Sequence, residues 1–584
     1  MRGIEPLVES SAGKPWRGFL HGFELASLFM MWSATSAPAA TLTVGTTTEL
    51  EAAIVASQAG DVIELRDGIY SVAGVAGFVV ANKSNLTIRG KSGNRNLVVL
   101  QGQGINSTAT QFIFKLYASP YVTLQDMTMK DVYWHHVQIN DGSHHFTLRN
   151  LVMLDAGEAP VKVTSPGGSG PFSDYGFIEN CWLGFTSYGT RDVVEGIDII
   201  ASVGTVVRGN EFYRVRKLGD PDNVGWGVFA KCNAQDTIIE NNYFEDNDLA
   251  ISFGNGGCPA TYARNGDITY QHRGGIIRNN VVHGTKDNAV HINSSAGFKV
   301  YNNTLWSTFG DGGSSIDVRY NSYGEVFNNI ATEGVRLRDG GTASFAANIW
   351  YADASLFLSQ PTGNYHLVAS ALGAIDQGVD SSSDVPTDMD AQARPSAIGV
   401  DIGADEYVGG QPVSCPSGGV LPFACKRSTR ARAASIFLRN DADDRRDKLQ
   451  WKWRAGEATR DFGEPTAATS FALCVYDENA GVAQLVKEVL IPAGAGWEAT
   501  PTGYRYRDRK LVRSAVDAVT LRTSTSGRAT IRVSAKGMTL NAPPLPLRQD
   551  PAVTVRLLND RGCWQARYTI NSSNHGELFK ASGD

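Results

Sequence analysis

The chain is long, rich in glycine and poor in charge. It has 584 residues, of which 62 are glycine, 42% are apolar and 19% are charged, with a formal net charge of −6. So little charge excludes a coiled coil or an acidic disordered chain. Glycine at this frequency argues against a helical bundle, because glycine costs about 1 kcal/mol at a helix position. No uninterrupted run of about 20 apolar residues occurs, so no membrane-spanning helix is predicted.

The first 40 residues have the features of an export leader. Lys14 and Arg17 precede a short apolar run at 25–32, and the small residues at 37–39 offer a cleavage site. We therefore expect a signal peptide within 1–40 and a secreted or cell-surface protein of bacterial type.

The next segment, 48–58, has the pattern of an amphipathic helix. Leu50, Ile54 and Val55 fall on one side of it. Because the segment DVIEL that follows starts the first predicted turn of strands, we expect this helix to cover the open end of the fold.

One short phrase recurs through the middle of the chain: an apolar residue, a polar residue, Asn, and an apolar or aromatic pair. Its leading asparagine stands at positions 150, 180, 210, 241, 279, 302, 328 and 348. A period in the twenties to thirties without an amphipathic helix indicates stacked strands. Each asparagine can hydrogen-bond the next turn and adopt a left-handed bend, so these residues are predicted to form a structural ladder.

Each repeat also carries one segment that alternates between apolar and polar residues, as a half-buried strand does. These segments start at positions 161, 197, 228, 251, 290, 316 and 335. Together with the asparagine phrase they predict an all-β chain with a right-handed parallel β-helix over 41–407.

The end of this region carries family motifs. Residues 371–378 (ALGAIDQG), the pair Arg394-Pro395 and residues 400–407 (VDIGADEY) are similar to the closing segment of many bacterial β-helix proteins. On these motifs, 41–407 resembles the pectate-lyase-like superfamily of secreted β-helix proteins. The resemblance implies the fold. It leaves the reaction open, because this fold hosts lyases, hydrolases, epimerases, esterases and non-catalytic binders.

A second module follows a linker. Residues 408–430 are rich in Gly, Pro, Ser and Cys, which indicates a boundary. Beyond it, in 431–584, eight short alternating runs with close turn signals predict a β-sandwich accessory module. The runs are SIFLRN, KLQWKW, SFALCVYD, AQLVKEVLI, DAVTLRT, ATIRVSA, AVTVRLLN and CWQARYTI.

The two parts differ in charge. From 411 to the end there are 26 Lys and Arg against 17 Asp and Glu, whereas the rest of the chain has 27 against 42. A basic module on an acidic body suggests contact with an acidic glycan or a cell surface, and a scattered, solvated charge is the alternative. No phosphate-binding loop is present, so nucleotide chemistry is not expected. Nucleic-acid binding would rest on the basic module alone, and no nucleic-acid partner is predicted. We expect a monomer.

The seven cysteines fit an oxidising compartment. We predict bridges Cys415–Cys425, Cys474–Cys563 and Cys232–Cys258, with Cys181 as a buried free thiol. No Cys or His cluster has metal spacing, so no metal site is predicted, and the paired histidines at 135–136 and 144–145 are interpreted as loop residues. The acidic segment 440–444 lacks the Gly and distal Glu of a calcium loop; it is interpreted as a turn, with Ca²⁺ binding as the alternative and no cofactor required.

Candidate site residues follow from the strand alternation. If the apolar residues of the alternating segments face inward, the next residue of each faces outward. The outward column is then Lys162, Asp198, Phe229, Ser252, His291, Asp317 and Arg336, and a second column two residues on contains Lys231, Asn293, Arg319 and Arg338. Because adjacent strands lie about 4.8 Å apart, His291, Asp317 and Arg336 should be neighbours.

This grouping matches the needs of a lyase acting on a uronic acid: a cation at the carboxylate, a base for the neighbouring proton and a donor for the leaving oxygen. Arg319 and Arg336 are predicted to bind the carboxylate, and His291, oriented by Asp317, to transfer protons. Lys231 is the alternative base, if like charges lower its pKa. Predicted substrate-binding residues are Lys162, Asp198, Asn293, Arg338, Tyr262 and Tyr270, the tyrosines lying on the long insertion 254–275.

The leading hypothesis is thus a polysaccharide lyase acting on an acidic, uronic-acid-containing glycan. A glycoside hydrolase on the same scaffold is the second hypothesis, because Asp198 and Asp317 are separated by four turns, about 19 Å, whereas glycosidase carboxylates lie within about 10 Å. A non-catalytic surface or adhesion protein that binds glycans is the alternative from another class. Between the two enzymatic hypotheses, the lyase is favoured over the hydrolase.

Overall fold

The chain forms a long coil of parallel strands followed by an antiparallel β module. The computed structural model describes residues 39–73, 76–191, 193–218, 224–254, 257–307, 313–408, 413–416, 425–459, 462–467, 469–480, 482–559 and 562–583. The predicted signal peptide, apart from residues 39 and 40, and most of the predicted linker 408–430 lie outside these residues. Among the described helices, none has the length and apolar content needed to cross a membrane.

Three parallel sheets, here called sheets 1, 2 and 3, form the walls of the coil. Sheet 1 consists of Thr41–Val44, Val62–Leu65, Thr87–Gly90, Thr123–Gln125, Thr147–Arg149, Phe177–Glu179, Val206–Arg208, Ala234–Gln235, Ile238–Glu240, His272–Arg273, Ile276–Arg278, Ser295–Tyr301, Tyr323–Phe327 and Thr342–Ala346. Sheet 2 consists of Gly68–Ser71, Val98–Gln101, Thr128–Val132, Val152–Ala156, Trp182–Gly184, Glu211–Tyr213, Tyr243–Asn247, Val281–Thr285, Thr304–Trp306 and Ile330–Ala331. Sheet 3 consists of Phe78–Ala81, Phe112–Tyr117, His135–Ile139, Ala159–Val163, Glu195–Ile200, Trp226–Lys231, Leu249–Phe253, Val290–Asn293, Ile316–Arg319 and Val335–Leu337.

Apolar side chains from all three sheets fill the inside of the coil. One continuous core runs from Val44 to Ala331, since every turn contributes inward Val, Ile, Leu or Phe side chains. This arrangement is the predicted parallel β-helix. The seven alternating segments of the sequence all lie in sheet 3.

The α-helix Thr47–Ala56 covers the first turn, close to the predicted bounds 48–58. The Thr46 side chain caps it by accepting a hydrogen bond from the Glu49 backbone N–H at 3.1 Å. Leu50, Ala53 and Ile54 join the core. Val55 was predicted on this buried side, but 74% of its surface is exposed, because the helix lies with only one narrow face against the strands.

The asparagines form two neighbouring columns rather than one. In the first, Asn150, Asn180, Asn241, Asn279, Asn302 and Asn328 take the left-handed bend, with φ between 51° and 57°. In the second, one residue later, Asn210, Asn242, Asn280, Asn303, Asn329 and Asn348 bond one another from turn to turn. The predicted ladder mixed these columns, because a single asparagine was expected to do both tasks.

The segment after the last turn folds back along the outside of the helix. The antiparallel strands Phe357–Ser359 and Asn364–Leu367 and the following irregular stretch pack onto sheet 2. The first asparagine column binds its backbone: Asn302 Nδ2 donates to Asp401 O at 2.9 Å, and Asn328 Nδ2 to Val379 O at 2.8 Å. The closing motif therefore covers the asparagine corner.

The C-terminal module is a sandwich of two antiparallel sheets. The larger contains Ala434–Arg439, Lys448–Gly456, Trp497–Thr500, Gly503–Arg507, Val516–Arg522, Ala529–Lys536, Asn571–His575 and Leu578–Gly583; the smaller contains Phe471–Asn479, Val482–Ile491, Val553–Asn559 and Gly562–Tyr568. The described 3₁₀ turns are Ala354–Leu356, Gln360–Thr362, Asp444–Arg446 and Met538–Leu540. All eight predicted runs are strands, and Trp451 Nε1 joins the two sheets by donating to Tyr568 Oη at 3.0 Å.

Three disulfides are formed, and two differ from the predicted pairing. Cys232–Cys258 is confirmed, as is the buried free thiol of Cys181. The others are Cys415–Cys474 and Cys425–Cys563, not Cys415–Cys425 and Cys474–Cys563. The prediction paired the cysteines without knowledge of the strand order. Cys474 and Cys563 lie on the two strands that flank the strand Val553–Asn559 in the smaller sheet. Each is linked to a cysteine of the predicted linker 408–430.

Candidate functional site

The outer face of sheet 3 carries the predicted column of polar residues. Parallel pairing aligns Lys162 with Asp198, Asp198 with Phe229, and Phe229 with Ser252. It continues from Ser252 through His291 and Asp317 to Arg336. Residues far apart in sequence thus stand side by side on one face.

Strict alternation fails near the start of several of these strands. Gly196 and Ile197 both face the core, since a Cβ on Gly196 would lie 2.9 Å from the Phe212 ring. The residue before them, Glu195, is thereby turned to the outer face, where it meets Lys231. A strict period of two assigns Glu195 to the core, so it was missed as a candidate.

Four charged residues form what we call the lysine cluster: Lys162, Glu195, Asp198 and Lys231. Asp198 accepts contacts from both lysines, with Lys162 Nζ at 3.0 Å and Lys231 Nζ at 3.1 Å. Glu195 Oε1 lies 3.5 Å from Lys231 Nζ. The two carboxylate side chains are 3% and 0% exposed and lie beneath the lysines.

The two carboxyl groups of the lysine cluster differ in pKa. Burial and the neighbouring Asp198 raise the pKa of Glu195 to about 7. The pKa of Asp198 is lowered despite its burial, because both lysines contact it. The site therefore holds one carboxyl that is readily protonated next to one that stays ionised.

Lys231 does not have the properties predicted for a base. Burial by itself favours the neutral amine, but Asp198 and Glu195 outweigh it and raise the pKa of Lys231. The prediction assumed like charges around this lysine, and the structure surrounds it with opposite ones. Its Nζ also lies 3.9 Å from the centre of the Phe229 ring, which stacks on Trp226 at 5.1 Å.

A second group, the histidine cluster, consists of Ser252, His291, Asp317 and Arg338. His291 Nδ1 lies 3.2 Å from Ser252 Oγ, while His291 Nε2 is 3.9 Å from Asp317 Oδ2, too far for a hydrogen bond. Asp317 is instead bound in a bidentate manner by Arg338, at 3.0 and 2.5 Å. Asp317 therefore does not orient His291 as predicted, because the carboxylate of Asp317 binds the guanidinium of Arg338 instead.

Burial keeps the imidazole of His291 neutral. It lowers the pKa of His291, and the carboxylates of Asp317 and Asp287 oppose the shift only in part. Only 13% of the side chain is exposed. A neutral imidazole on this outward column can accept a proton.

The other two predicted cations, Arg319 and Arg336, differ in their surroundings. Arg319 is paired with Asp339 at 2.7 Å and lies over the Tyr320 ring, so its charge is already balanced. Arg336 is exposed and has no ion pair with any described residue. Asn293 is aligned with Arg319 but is 2% exposed, which leaves little of it for a ligand.

The insertion after the strand Leu249–Phe253 carries the two predicted tyrosines. Cys258 anchors it to Cys232, and Arg264 pairs with Asp174. Tyr262 is 55% exposed. Tyr270 packs edge-on against Tyr323 of sheet 1 at 6.1 Å. Its described contacts are therefore with sheet 1 rather than with the outward column of sheet 3.

Two histidines interpreted as loop residues belong to sheet 3. His135 points outward and lies 3.5 Å from Glu158, next to the lysine cluster. His136 is buried and bonds Leu154 O at 2.9 Å. The repeat phrase begins only after these residues, so no pattern marked their strand.

The acidic segment 440–444 forms a local turn, as interpreted. Asp443 caps the 3₁₀ turn Asp444–Arg446 through Arg445 N and pairs with the Arg445 side chain at 2.8 Å. Its carboxylate therefore serves the turn itself.

No family model matches the sequence, and no curated protein does. Among solved structures, the chain is similar to the pectate lyase Pel9A, with 16% identity and a TM-score of 0.46, over 63% of this chain and 96% of that one. An alginate lyase from a Paenibacillus species has 16% identity and a TM-score of 0.38, over 54% and 99%. The Streptococcus pneumoniae surface protein and adhesin PfbA has 12% identity and a TM-score of 0.34, over 53% and 97%.

At such low identities and TM-scores these similarities carry no argument about the reaction, which has to be argued from the residues on the outer face of sheet 3. By its three parallel sheets and its asparagine columns, the chain is a parallel β-helix followed by an antiparallel C-terminal β module.

Proposed function

We propose that this chain cleaves an acidic, uronic-acid-containing polysaccharide by β-elimination, along the outer face of sheet 3. The observation that carries the proposal is the alignment of His291 with Arg336, two strands apart on one outward column. The first is a buried, neutral imidazole and the second an exposed guanidinium without an ion pair among the described residues.

Each group has a role in this reaction. Arg336 binds the carboxylate of the uronic acid and stabilises the negative charge that develops when the neighbouring proton leaves. His291 accepts that proton, and its imidazolium can return a proton to the leaving oxygen. Asp317 holds Arg338 beside them and keeps the local charge balanced.

The lysine cluster supplies a second contact with the same polymer. Asp198 and His291 are three strands apart on one column, about 14 Å, so a glycan that follows the column passes both clusters. Lys162 and Lys231, 23% and 19% exposed, present ammonium groups to a second carboxylate. Trp226, at the start of the strand that ends at Lys231, is partly exposed and offers a ring for stacking on a sugar.

The test uses the full chain and a panel of uronic-acid polymers. Elimination creates an unsaturated sugar, which is followed by its ultraviolet absorbance. We expect this signal from wild type and a loss of about 100-fold or more in kcat/KM for His291→Ala, while the exposed His575→Ala variant stays at the wild-type rate. Arg336→Ala should lower kcat/KM as well. Equal rates for His291→Ala and wild type would contradict the proposal.

A hydrolase is the second candidate, for which Glu195 and Asp198 provide a specific observation. Both contact the same Lys231 nitrogen, so they lie within the distance that glycosidase pairs span, and their pKa values are shifted in opposite directions. Their burial under the lysines places this reaction second. New reducing ends without the ultraviolet signal, abolished by Glu195→Gln, would favour it.

The same panel addresses the non-catalytic alternative. Binding to a polymer without the ultraviolet signal or reducing ends would indicate a glycan-binding surface or adhesion protein. We further propose that the basic C-terminal module contacts an anionic glycan and that the protein acts outside the cell, as a monomer.

A further inference from the structure

A group of potential metal ligands lies away from sheet 3, where the returning segment packs on sheet 2. His366 is on the strand Asn364–Leu367, and Asp390 and Asp405 follow on later loops of the same segment. One imidazole nitrogen and one oxygen from each carboxylate lie within 4.8 Å of one another. The three residues are too far apart in sequence to form a motif, which is why the sequence predicted no metal site.

The hydrogen bonds of His366 define which of its nitrogens faces the carboxylates. Nδ1 lies 2.8 Å from Asn364 Oδ1, an oxygen that also accepts the His366 backbone N–H at 3.3 Å. Nδ1 therefore carries the proton of the neutral ring. Nε2 lies 2.6 Å from Asp390 Oδ2. At this distance Nε2 holds a proton that it shares with the Asp390 carboxylate. A metal ion in place of that proton would bind both atoms at about 2.0–2.2 Å and separate them to about 3 Å.

Asp405 supplies a second carboxylate, whose negative charge also has to be balanced by a nearby positive charge. Asp405 is 4% exposed; its Oδ2 accepts the Leu367 N–H at 2.7 Å, and no described residue donates a hydrogen bond to its Oδ1. The nearby Arg394 is bound to Glu406 at 2.8 Å, with both side chains fully buried. A proton on His366 balances one of the two negative charges, whereas a divalent cation balances both.

The surroundings match those of a metal site in two more respects. Metal-bound histidines commonly donate their other N–H to an oxygen acceptor that orients the ring, as His366 does to Asn364. His366 and Asp390 also line a cavity of about 780 Å³ between sheet 2 and the C-terminal module, so one side of the group is open to a small ligand such as water.

From this geometry we propose that His366 Nε2, Asp390 and Asp405 bind one divalent transition-metal ion of the zinc class, with a further position open toward the cavity. A mixed set of one nitrogen and two carboxylate oxygens suits Zn²⁺, whereas Ca²⁺ and Mg²⁺ prefer oxygen ligands throughout. This site is independent of the proposed reaction on the outer face of sheet 3.

The test is Zn²⁺ binding to the full chain after treatment with a chelator, measured by competition with a chromophoric zinc indicator. We expect one tightly bound Zn²⁺ per chain, and a loss of at least about 10-fold in affinity for His366→Ala and for Asp405→Asn. Asp390→Asn keeps the side-chain shape and should also weaken Zn²⁺ binding. It therefore tests the site even if another variant fails to fold. X-ray absorption of the zinc-loaded protein should show one nitrogen and several oxygens at about 2.0–2.2 Å.

Control variants separate this site from other histidines. His575→Ala removes an exposed imidazole of the C-terminal module and should leave binding unchanged. His144 and His145, whose Nδ1 atoms lie 2.8 Å apart, are the strongest competing pair, and their double alanine variant should also retain the tight site. No zinc binding by wild type, or binding lost in the His144/His145 variant and kept in folded His366→Ala, would overturn the proposal and leave a protonated His366–Asp390 ion pair.

Discussion

Arg95 and Glu457 form a buried ion pair that joins the β-helix to the C-terminal module. Arg95 Nη2 lies 3.0 Å from Glu457 Oε2, and the side chains are 8% and 14% exposed. Asn96 Nδ2 donates to the same carboxylate at 2.7 Å, and Asn94 Nδ2 to Ser428 O at 3.0 Å. The β-helix and the C-terminal part of the chain, which are distant in sequence, are thus joined by a group of polar contacts.

Removing one partner of this pair should destabilise the protein strongly. In Glu457→Ala, Arg95 remains buried without its counter-charge, so we expect the free energy of unfolding to fall by about 3–5 kcal/mol. Urea unfolding measures it. The exposed pair Asp443–Arg445 provides the control, and Arg445→Ala should have a much smaller effect. Equal effects of the two variants would show that the contact contributes little.

The second asparagine column, which contains Asn303, should be sensitive to single substitutions. Asn303 Oδ1 accepts from Asn280 N and Nδ2, and Asn303 Nδ2 donates to Ile277 O and Asn329 Oδ1. Asn303→Ala leaves several of these buried groups without partners, each at a cost of about 1–3 kcal/mol. Thermal unfolding should show a large decrease for Asn303→Ala and little change for the exposed Asn571→Ala; similar melting temperatures would contradict the role of the column.

Buried histidines should make the fold sensitive to acid. Burial lowers the pKa of His136 and of His272 to about 3, from 6.5. The unfolded chain binds protons at these rings below pH 6.5 while the folded chain does not, so stability is full above pH 6.5 and falls as the pH drops toward 3, by up to about 1.4 kcal/mol per pH unit for each ring.

The measurement is the free energy of unfolding in urea at a series of pH values from 7 to 4. His272→Gln should reduce the slope of stability against pH, because one of the two rings no longer takes up a proton on unfolding. His575→Gln, at an exposed position, should keep the wild-type slope. An unchanged slope for a folded His272→Gln variant would be inconsistent with a neutral, buried His272.

The disulfide pairing can be tested chemically. Cys425–Cys563 closes a sequence separation of 138 residues, and long loops lose the most unfolded-state entropy when closed, so we expect Cys425→Ser to cost about 2–5 kcal/mol. Cys563→Ser should cost a similar amount, since either change removes the same bridge. Mass spectrometry of non-reduced digests should find the peptides of Cys415 and Cys474 linked; a Cys415–Cys425 peptide would refute the pairing.

The outer face of the larger sheet in the C-terminal module is basic. Exposed Lys452 and Arg532 are directly paired across strands, and Arg505 follows one strand beyond Thr520. We expect the double variant Lys452→Gln/Arg532→Gln to bind immobilised polyuronate more weakly and with less dependence on salt. The control is Arg66→Gln/Lys286→Gln, an equal charge loss at exposed sites of the β-helix; equal losses would point to net charge alone.

The repeat pattern was sufficient to predict the β-helix and the outward column of sheet 3. Val161, Ile197, Val228, Ile251 and Val290 recur at one position of successive turns, and each apolar residue needs a buried place, so their outward neighbours must align. All eight predicted strands of the module are present for the same reason. The strands that were missed, Trp497–Thr500, Gly503–Arg507, Asn571–His575 and Leu578–Gly583, lie at or next to sheet edges, where weak burial leaves a weak pattern.

Local sequence by itself thus determined the architecture and the order of side chains along the outward column of sheet 3. The reason is that burial of one strand face makes apolar and polar residues alternate along the sequence. Contacts at longer range were decided only by the tertiary structure. Whether Asp317 binds His291 or Arg338, which ionisation state Lys231 favours, and how His366, Asp390 and Asp405 meet all depend on competition among charges that several turns and a returning segment bring together. That competition is settled by distances of a few ångströms, which no spacing in the sequence encodes.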